Sequence, residues 1–327
     1  MAIRTGAERA PAPMILVTGA NGFVGRVLCR RLAEAGIPVT AAWRGNGSPP
    51  DGAARAIRIP SIGPQDDFRT LLDGCAAVVH LAARVHVMHE NAAAELETYR
   101  RINVGGTLNL ARQAAGAGVR RFVFLSTAKV LGEEGDLGGR CHEPACPEDP
   151  YSLSKFEAEQ GLKGISAETG LQLVVLRPPL VYGPGVRANF LRLLRAIDHG
   201  WPLPLGAVKN RRSMIYVGNL VDAIVKCIDH PAANGGTYLV SDGEDLSSPD
   251  LVRRLARELG RPPRLLSVPV PWLRFAARLL GKSRELDRLA GSLYFDATAI
   301  CGELGWTPPF KLDAALAETV RWYRGRR

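Results

Sequence analysis

The sequence predicts an α/β protein whose core is a doubly wound parallel sheet. Short apolar runs alternate with helical patterns, a glycine-spaced turn joins the first run to the first helix, and the grammar changes after residue 180. The runs are MILV (14–17), PVTAAW (38–43), AVVHLA (77–82), RRFVFLS (120–126) and LQLVVLRP (171–178). Each is apolar at consecutive positions, as strands buried on both faces of a parallel sheet are. Helical periodicity begins between them near Phe23, Asp66, Asn91 and Tyr151. Beyond residue 180, turn-rich pieces such as YGPG, WPLPLG, SVPVP and WTPPF break up shorter helices. A smaller lobe over the carboxyl ends of the strands is therefore expected.

Bulk properties narrow the function classes. The chain has 327 residues, 46% of them hydrophobic, enough for one large or two unequal domains. No run approaches the ~20 apolar residues that span a bilayer. Residues 1–13 lack an apolar core and are expected to form a flexible leader, with a cytoplasmic location as the default. Forty-two Lys and Arg face 32 Asp and Glu, a charge of +10 that attracts acidic ligands. The arginines are dispersed, so no nucleic-acid partner is expected. Cys29, Cys75, Cys141, Cys146, Cys227 and Cys301 are scattered like free thiols. Neither Cys141-His142 with Cys146 nor His86-x-x-His89 with His80 has metal-site spacing, so no metal is expected.

Gly19-x-x-Gly22-x-x-Gly25 follows the first run and opens the first helix. Lacking Cβ atoms, Gly19 and Gly22 let the backbone approach a pyrophosphate at the helix N-terminus, and Gly25 lets the helix pack on its strand. Asn21, Phe23 and Val24 lie in the same turn. This predicts a Rossmann-like NAD(P)-binding domain over 14–180 and a mainly substrate-binding lobe over 181–327, part of which returns to the main sheet. Tyr151-x-x-x-Lys155 follows Asp149-Pro150 at a helix start, which places phenol and ammonium one turn apart on one face. A lysine there is expected to lower the tyrosine pKa, fitting it for proton exchange at a carbinol or carbonyl. Ser126 and Thr127 leave the carboxyl end of a central strand, where such sheets do chemistry, so Thr127 can orient a substrate oxygen.

With these motifs the chain resembles the extended short-chain dehydrogenase/reductase superfamily, in its nucleotide-sugar epimerase, dehydratase and 4-ketoreductase branch. TGANGFVG, VVHLAA (78–83), INVGGTLNL (102–110), FLSTAKVLG (124–132), YSLSK, LRPPLVYGPG (176–185) and RRSMIYVGNLVDAI (211–224) occur in the family's order, from Met14 to Trp322. The resemblance implies that Thr127, Tyr151 and Lys155 are catalytic and that Asn103 is the structural-catalytic asparagine. It implies that Leu81, Ala82 and Ala83 run beside the cofactor and that Arg177 and Pro178 begin the loop following the nicotinamide. Asn189 and Arg212 are implied to bind substrate, Arg212 through the diphosphate; Arg211 is the alternative. From their places beside Thr127, Ser126 can share its role or satisfy local backbone, and Lys129, a departure from the family pattern, can touch a substrate phosphate or an acidic sugar or stand as a surface lysine. A homodimer through the helices near Asn91 and Tyr151 is also implied.

Departures from the family pattern refine the expectation. Arg44 stands where an acidic residue would hold the ribose of NAD. An arginine suits a 2′-phosphate, which favours NADP(H), with NAD the alternative. Ser61 replaces an aspartate near the adenine, Asn219 a usual aspartate, and Val130-Leu131-Gly132 the usual V-Y-G. Ala128-Lys129 after Thr127 lacks the dehydratases' acidic pair. Local strings look most like bacterial surface-polysaccharide proteins. The expected reaction is therefore reduction of a UDP-4-keto-6-deoxy-N-acetylhexosamine. A UDP-hexose 4-epimerase with tightly held NAD is the alternative, followed by a steroid- or flavonoid-type ketoreductase and by a non-catalytic NADP-binding sensor. The apolar, basic stretch 272–293 is expected to be a lid or packing helix rather than a membrane-surface element.

Overall fold

A computed structural model describes residues 14–85, 92–132, 135–136, 145–279, 281, 286 and 289–326. The expected leader (1–13), the His86 and His89 pair, Asn91, the Cys141-His142 pair and part of the 272–293 stretch lie outside these residues.

Seven parallel strands form the main sheet: β1 (Met14–Thr18), β2 (Val39–Trp43), β3 (Arg55–Arg58), β4 (Cys75–His80), β5 (Arg121–Leu125), β7 (Gln172–Arg177) and β10 (Thr237–Leu239). Two short strands, β8 (Leu180–Tyr182) and β9 (Met214–Tyr216), pair with each other, as do β6 (Gly135–Asp136) and β11 (Leu293–Tyr294). The sheet order is β3-β2-β1-β4-β5-β7-β10. The chain winds outward from β1 in one direction, then from β4 in the other. That reversal leaves a crevice beyond the carboxyl ends of β1 and β4, the position at which such sheets bind ligands.

Consecutive strand residues feed opposite faces. Ile15 and Val17 join one core cluster, whereas Leu16 joins the other. Helices α1 (Phe23–Glu34) and α7 (Val217–Asp229) contribute to the first cluster. Helices α4 (Thr107–Gly116) and α5 (Pro150–Thr169) contribute to the second. Helix α3 (Ala92–Tyr99) continues through a wide π-helical turn, Arg100–Gly106, into α4. A third cluster joins α6 (Ala188–Asp198), α8 (Ser248–Glu258) and helix Leu312–Arg324.

The pattern does not reveal β3 or β10. Strand β3 is polar at an edge, alternating half-buried and exposed, and β10 is three residues long. The helix expected near Asp66 is a single turn, Arg69–Leu72. Asn219, placed where an aspartate is usual, clamps a loop: its amide donates to the Phe310 carbonyl at 2.9 Å and accepts from the Phe310 N–H at 2.9 Å.

A buried ion pair fastens α5 to the sheet. Arg177, at the end of β7, donates to Glu159 at 2.5 Å, and both side chains are at most 5% exposed. Removing one partner of such a pair strands a charge in a low dielectric. Glu159→Leu is expected to cost about 3–5 kcal/mol in urea unfolding. Arg177→Met/Glu159→Leu is expected to recover most of that loss, which a double-mutant cycle checks.

Candidate active site

The turn after β1 is built for close approach. A Cβ on Gly19, whose φ is +68°, would stand 2.8 Å from the Ala82 nitrogen, and one on Gly25 would stand 2.3 Å from the Gly19 carbonyl oxygen. Gly22 caps α1 without a side-chain hydrogen bond, and the first turn of α1 carries no acidic residue. Its N–H groups and positive dipole end are left to face an anion. These residues fit the pyrophosphate of a dinucleotide, with Asn21, Phe23 and Val24 in the cradle and Leu81, Ala82 and Ala83 along its flank.

Beneath the cradle lies a residue that sequence reasoning considered only as a metal ligand. His80 is 1% exposed, with Nδ1 2.7 Å from the Thr18 hydroxyl and Nε2 2.9 Å from that of Thr107. Burial, reinforced by the Lys155 ammonium, pushes its pKa down to about 3. The ring is therefore a neutral link between β1, β4 and α4. Thr18 also accepts the Ala82 N–H at 3.3 Å, fixing the strand end that faces Gly19.

Asn103 sits in the π-helical turn, a feature common at functional sites. Its carboxamide accepts the Arg84 N–H at 2.8 Å, donates to the Arg84 carbonyl at 3.2 Å and reaches the Ser154 hydroxyl at 3.0 Å. It thus ties the segment after Ala83 to the helix carrying Tyr151.

Helix α5 begins with a capping box, in which the Asp149 carboxylate accepts the Ser152 N–H at 2.8 Å. That carboxylate also receives Lys129 Nζ at 3.1 Å. The side chain expected at the substrate therefore ties the turn starting at Thr127 to the first turn of α5. Thr127 Oγ1 accepts the Lys129 N–H at 3.3 Å, so its own O–H is left to donate. The Ala128 N–H donates to the Pro178 carbonyl at 2.9 Å, bringing the two strand-end loops together. Among the described residues, buried Ser126 Oγ has no hydrogen-bond partner, an arrangement that suits a polar group of a ligand.

The electrostatics correct one expectation. The Tyr151 phenol is held well above its usual range, by burial first and then by the Asp149 carboxylate and the Tyr99 phenol. Tyr99 packs edge-on against it at 6.1 Å and had no signal in the sequence, because the contact spans two separate helices. The Lys155 ammonium does not lower the phenol pKa in this geometry. It lies 3.9 Å over the Phe124 ring, where burial pushes its pKa down to about 7. The resting tyrosine is thus a proton donor, and the lysine is poised to change charge near neutrality.

Where an acidic residue would receive the ribose, β2 gives way to Arg44, which is exposed. Its carbonyl accepts Asn21 Nδ2 at 3.4 Å, and Arg26 Nε donates to the Asn21 carbonyl at 3.0 Å. Arg58, opposite Trp43 in the sheet register, donates to Asn46 Oδ1 at 2.5 Å. Three arginines therefore surround a loop, 44–50, that contains no carboxylate. Ser61 hydrogen-bonds Asp66 at 2.6 Å, so the neighbouring loop does hold an aspartate, five residues along.

The substrate-side candidates are spread over the second lobe. Asn189 is exposed in the first turn of α6, after Ala188, whose φ of +51° is uncommon for a residue with a side chain. Arg212 is half-buried and donates to the Gly291 carbonyl at 2.8 Å. Arg211 instead pairs with Asp245 at 2.9 Å and lies over Tyr294.

The His80 linkage gives a pH signature. An unfolded histidine binds a proton below pH ~6.5, whereas folded His80 stays neutral to about 3, so stability falls as pH drops through that window. Its contribution is at most about 1.4 kcal/mol per pH unit. His80→Gln is expected to flatten the acid limb of the stability curve between those values by one proton's slope. Urea titrations that leave the limbs of the two proteins parallel rule this out.

Comparison with known proteins identifies the family. A family model described as the NAD dependent epimerase/dehydratase family matches residues 15–241. A UDP-glucose 4-epimerase of Vibrio cholerae is 42% identical over 322 residues, covering 97% of each chain. An N-acetyl-alpha-D-glucosaminyl-diphospho-ditrans,octacis-undecaprenol 4-epimerase of Escherichia coli O157:H7 is 28% identical, covering 94% of each. Among solved structures, MoeE5 in complex with UDP-glucuronic acid and NAD superposes with a TM-score of 0.78 at 26% identity, over 96% of this chain and 99% of that one. The chain is a member of the NAD dependent epimerase/dehydratase family, a family of enzymes.

Proposed function

We propose that the protein inverts C4 of a UDP-linked hexose, retaining its dinucleotide through the cycle. The observation that carries this reading is the full-length likeness to a UDP-glucose 4-epimerase. It supports this reading better than the UDP-4-keto-6-deoxy-N-acetylhexosamine reduction expected from the sequence. The bound nicotinamide supplies the hydride acceptor and donor. Tyr151 takes the C4–OH proton as hydride leaves C4 and gives it back to the C4 oxygen once hydride returns to the other face, so its phenol must first be deprotonated. Thr127 donates a hydrogen bond to the same oxygen, and Lys155 adjusts the local charge. Ser126, Asn189 and Arg212 hold the nucleotide sugar, with the guanidinium suited to diphosphate oxygens.

The test is incubation with UDP-glucose and, separately, UDP-N-acetylglucosamine, read by proton NMR. The expected outcome is C4 epimer formation without net change in nicotinamide absorbance, lowered roughly 100- to 10,000-fold in Tyr151→Phe. No epimer from either sugar, combined with stoichiometric NADPH oxidation by a UDP-4-keto sugar, replaces this reading with the reductase.

One observation favours that second reading, the arginines around loop 44–50. Guanidinium groups match a 2′-phosphate and offer no acceptor to ribose hydroxyls. If they take that phosphate, Arg44→Ala weakens NADPH binding roughly 10- to 100-fold and leaves NADH binding within about twofold. Calorimetric titration of both dinucleotides checks it; equal losses for the two exclude a 2′-phosphate contact.

A further inference from the structure

Helix α9 (Val270–Leu279) does not behave as the packing helix expected from the sequence. Ala277 is its only fully buried residue, although Val270 and Leu273 rest against the core of the second lobe. At about 100° per residue, Trp272, Phe275 and Leu279 form a stripe roughly opposite that anchoring face. All three are more than half exposed, as are Trp201 and Leu266.

These side chains belong to one end of the lobe. The Leu203 N–H donates to the Arg264 carbonyl and the Leu266 N–H to the Leu203 carbonyl, both at 2.8 Å. That pairing joins the Trp201 loop to the segment leading into α9. Arg274 and Arg278 lie along one side of the stripe on α9 and are exposed. The Arg264 guanidinium lies beside Gly200, 3.7 Å from where a Cβ would be, next to Trp201. It also lines an open cavity of about 650 Å³ with Arg195, His199, Arg261 and the Asp198 carboxylate, which pairs with Arg261 at 3.5 Å.

We propose that this face docks the protein on an anionic lipid surface. An apolar stripe with one tryptophan on α9 and a second on the neighbouring loop, bordered by arginines, matches the boundary between acyl chains and headgroups, where indole rings partition and guanidinium groups meet phosphates. Charge complementarity selects this occupant over a second copy of the chain. A twofold contact brings the same patch from both subunits together and so opposes its own arginines. No described helix is long and apolar enough to cross a membrane, so the attachment is peripheral and reversible.

Flotation of the full-length protein with vesicles tests the proposal, using phosphatidylcholine alone or mixed with phosphatidylglycerol. Binding is expected only with the anionic mixture, and is expected to fall as salt rises from about 0.05 M to about 0.5 M. Trp272→Ser/Phe275→Ser is expected to lose binding more than tenfold. Arg274→Gln/Arg278→Gln is expected to lose roughly 25-fold, about fivefold per charge. Far-UV circular dichroism and sugar turnover are expected to stay at the parent level in both, so a failure here is separate from a failure of the proposed reaction. The arginine variant keeps the test valid if the apolar one misfolds. Absence of flotation with anionic vesicles overturns the proposal, as does undiminished binding by the arginine variant. So does a self-association in sedimentation velocity that the apolar variant abolishes.

Discussion

A neutral imidazole at the junction of β1 and β4 holds together everything that follows. His80 spans Thr18 and Thr107, so two strands and a helix share one short hydrogen-bonded chain. The same Thr18 hydroxyl fixes the Ala82 N–H, and Ala82 is the atom group against which Gly19 has no room for a side chain. The strand reversal opens a crevice at that junction, and the glycine turn and the Leu81–Ala83 segment form its walls. A charged imidazole there would need solvation that the core cannot supply, which is why the link works only in the neutral form.

Around this floor, ties between separate elements set the reacting groups. Asn103 reads both backbone groups of Arg84 and reaches Ser154 on the helix of Tyr151. Lys129 and Asp149 join the Thr127 turn to the start of that helix. The buried Arg177–Glu159 pair secures it further along. The chemistry inherits this arrangement. A phenol surrounded by a carboxylate and a second phenol stays protonated, and a buried ammonium over an aromatic ring stays close to losing its proton. The phenol must therefore lose its proton before it can take one from a substrate hydroxyl.

Much of the fold was legible because its signals are local. Four of the five expected strands begin within a residue of the observed ones, β4 starting two residues early. The glycine spacing announced a cradle that the geometry supports, and Asp149-Pro150 announced the start of α5. Strand β3 was hidden because a four-residue edge strand that begins and ends on arginine reads as a loop. Tyr99 was hidden because nothing near it in sequence refers to Tyr151. The effect of Lys155 on the phenol was hidden for a related reason. Helical spacing gives a side chain's face, but its four-carbon stem is steered by whatever packs around it, here Phe124.

By itself the sequence determined the layered α/β architecture, the dinucleotide turn, the tyrosine–lysine pair and the family, since periodicity, turn chemistry and short motifs act over a few residues. Only the tertiary structure decided which charges meet. It paired Lys129 with Asp149, gathered Arg26, Arg44 and Arg58 around one loop, made His80 a buried strut and left the outer face of α9 bare. Coulomb and desolvation energies depend on separations through space and on burial, and neither can be read from positions along a chain.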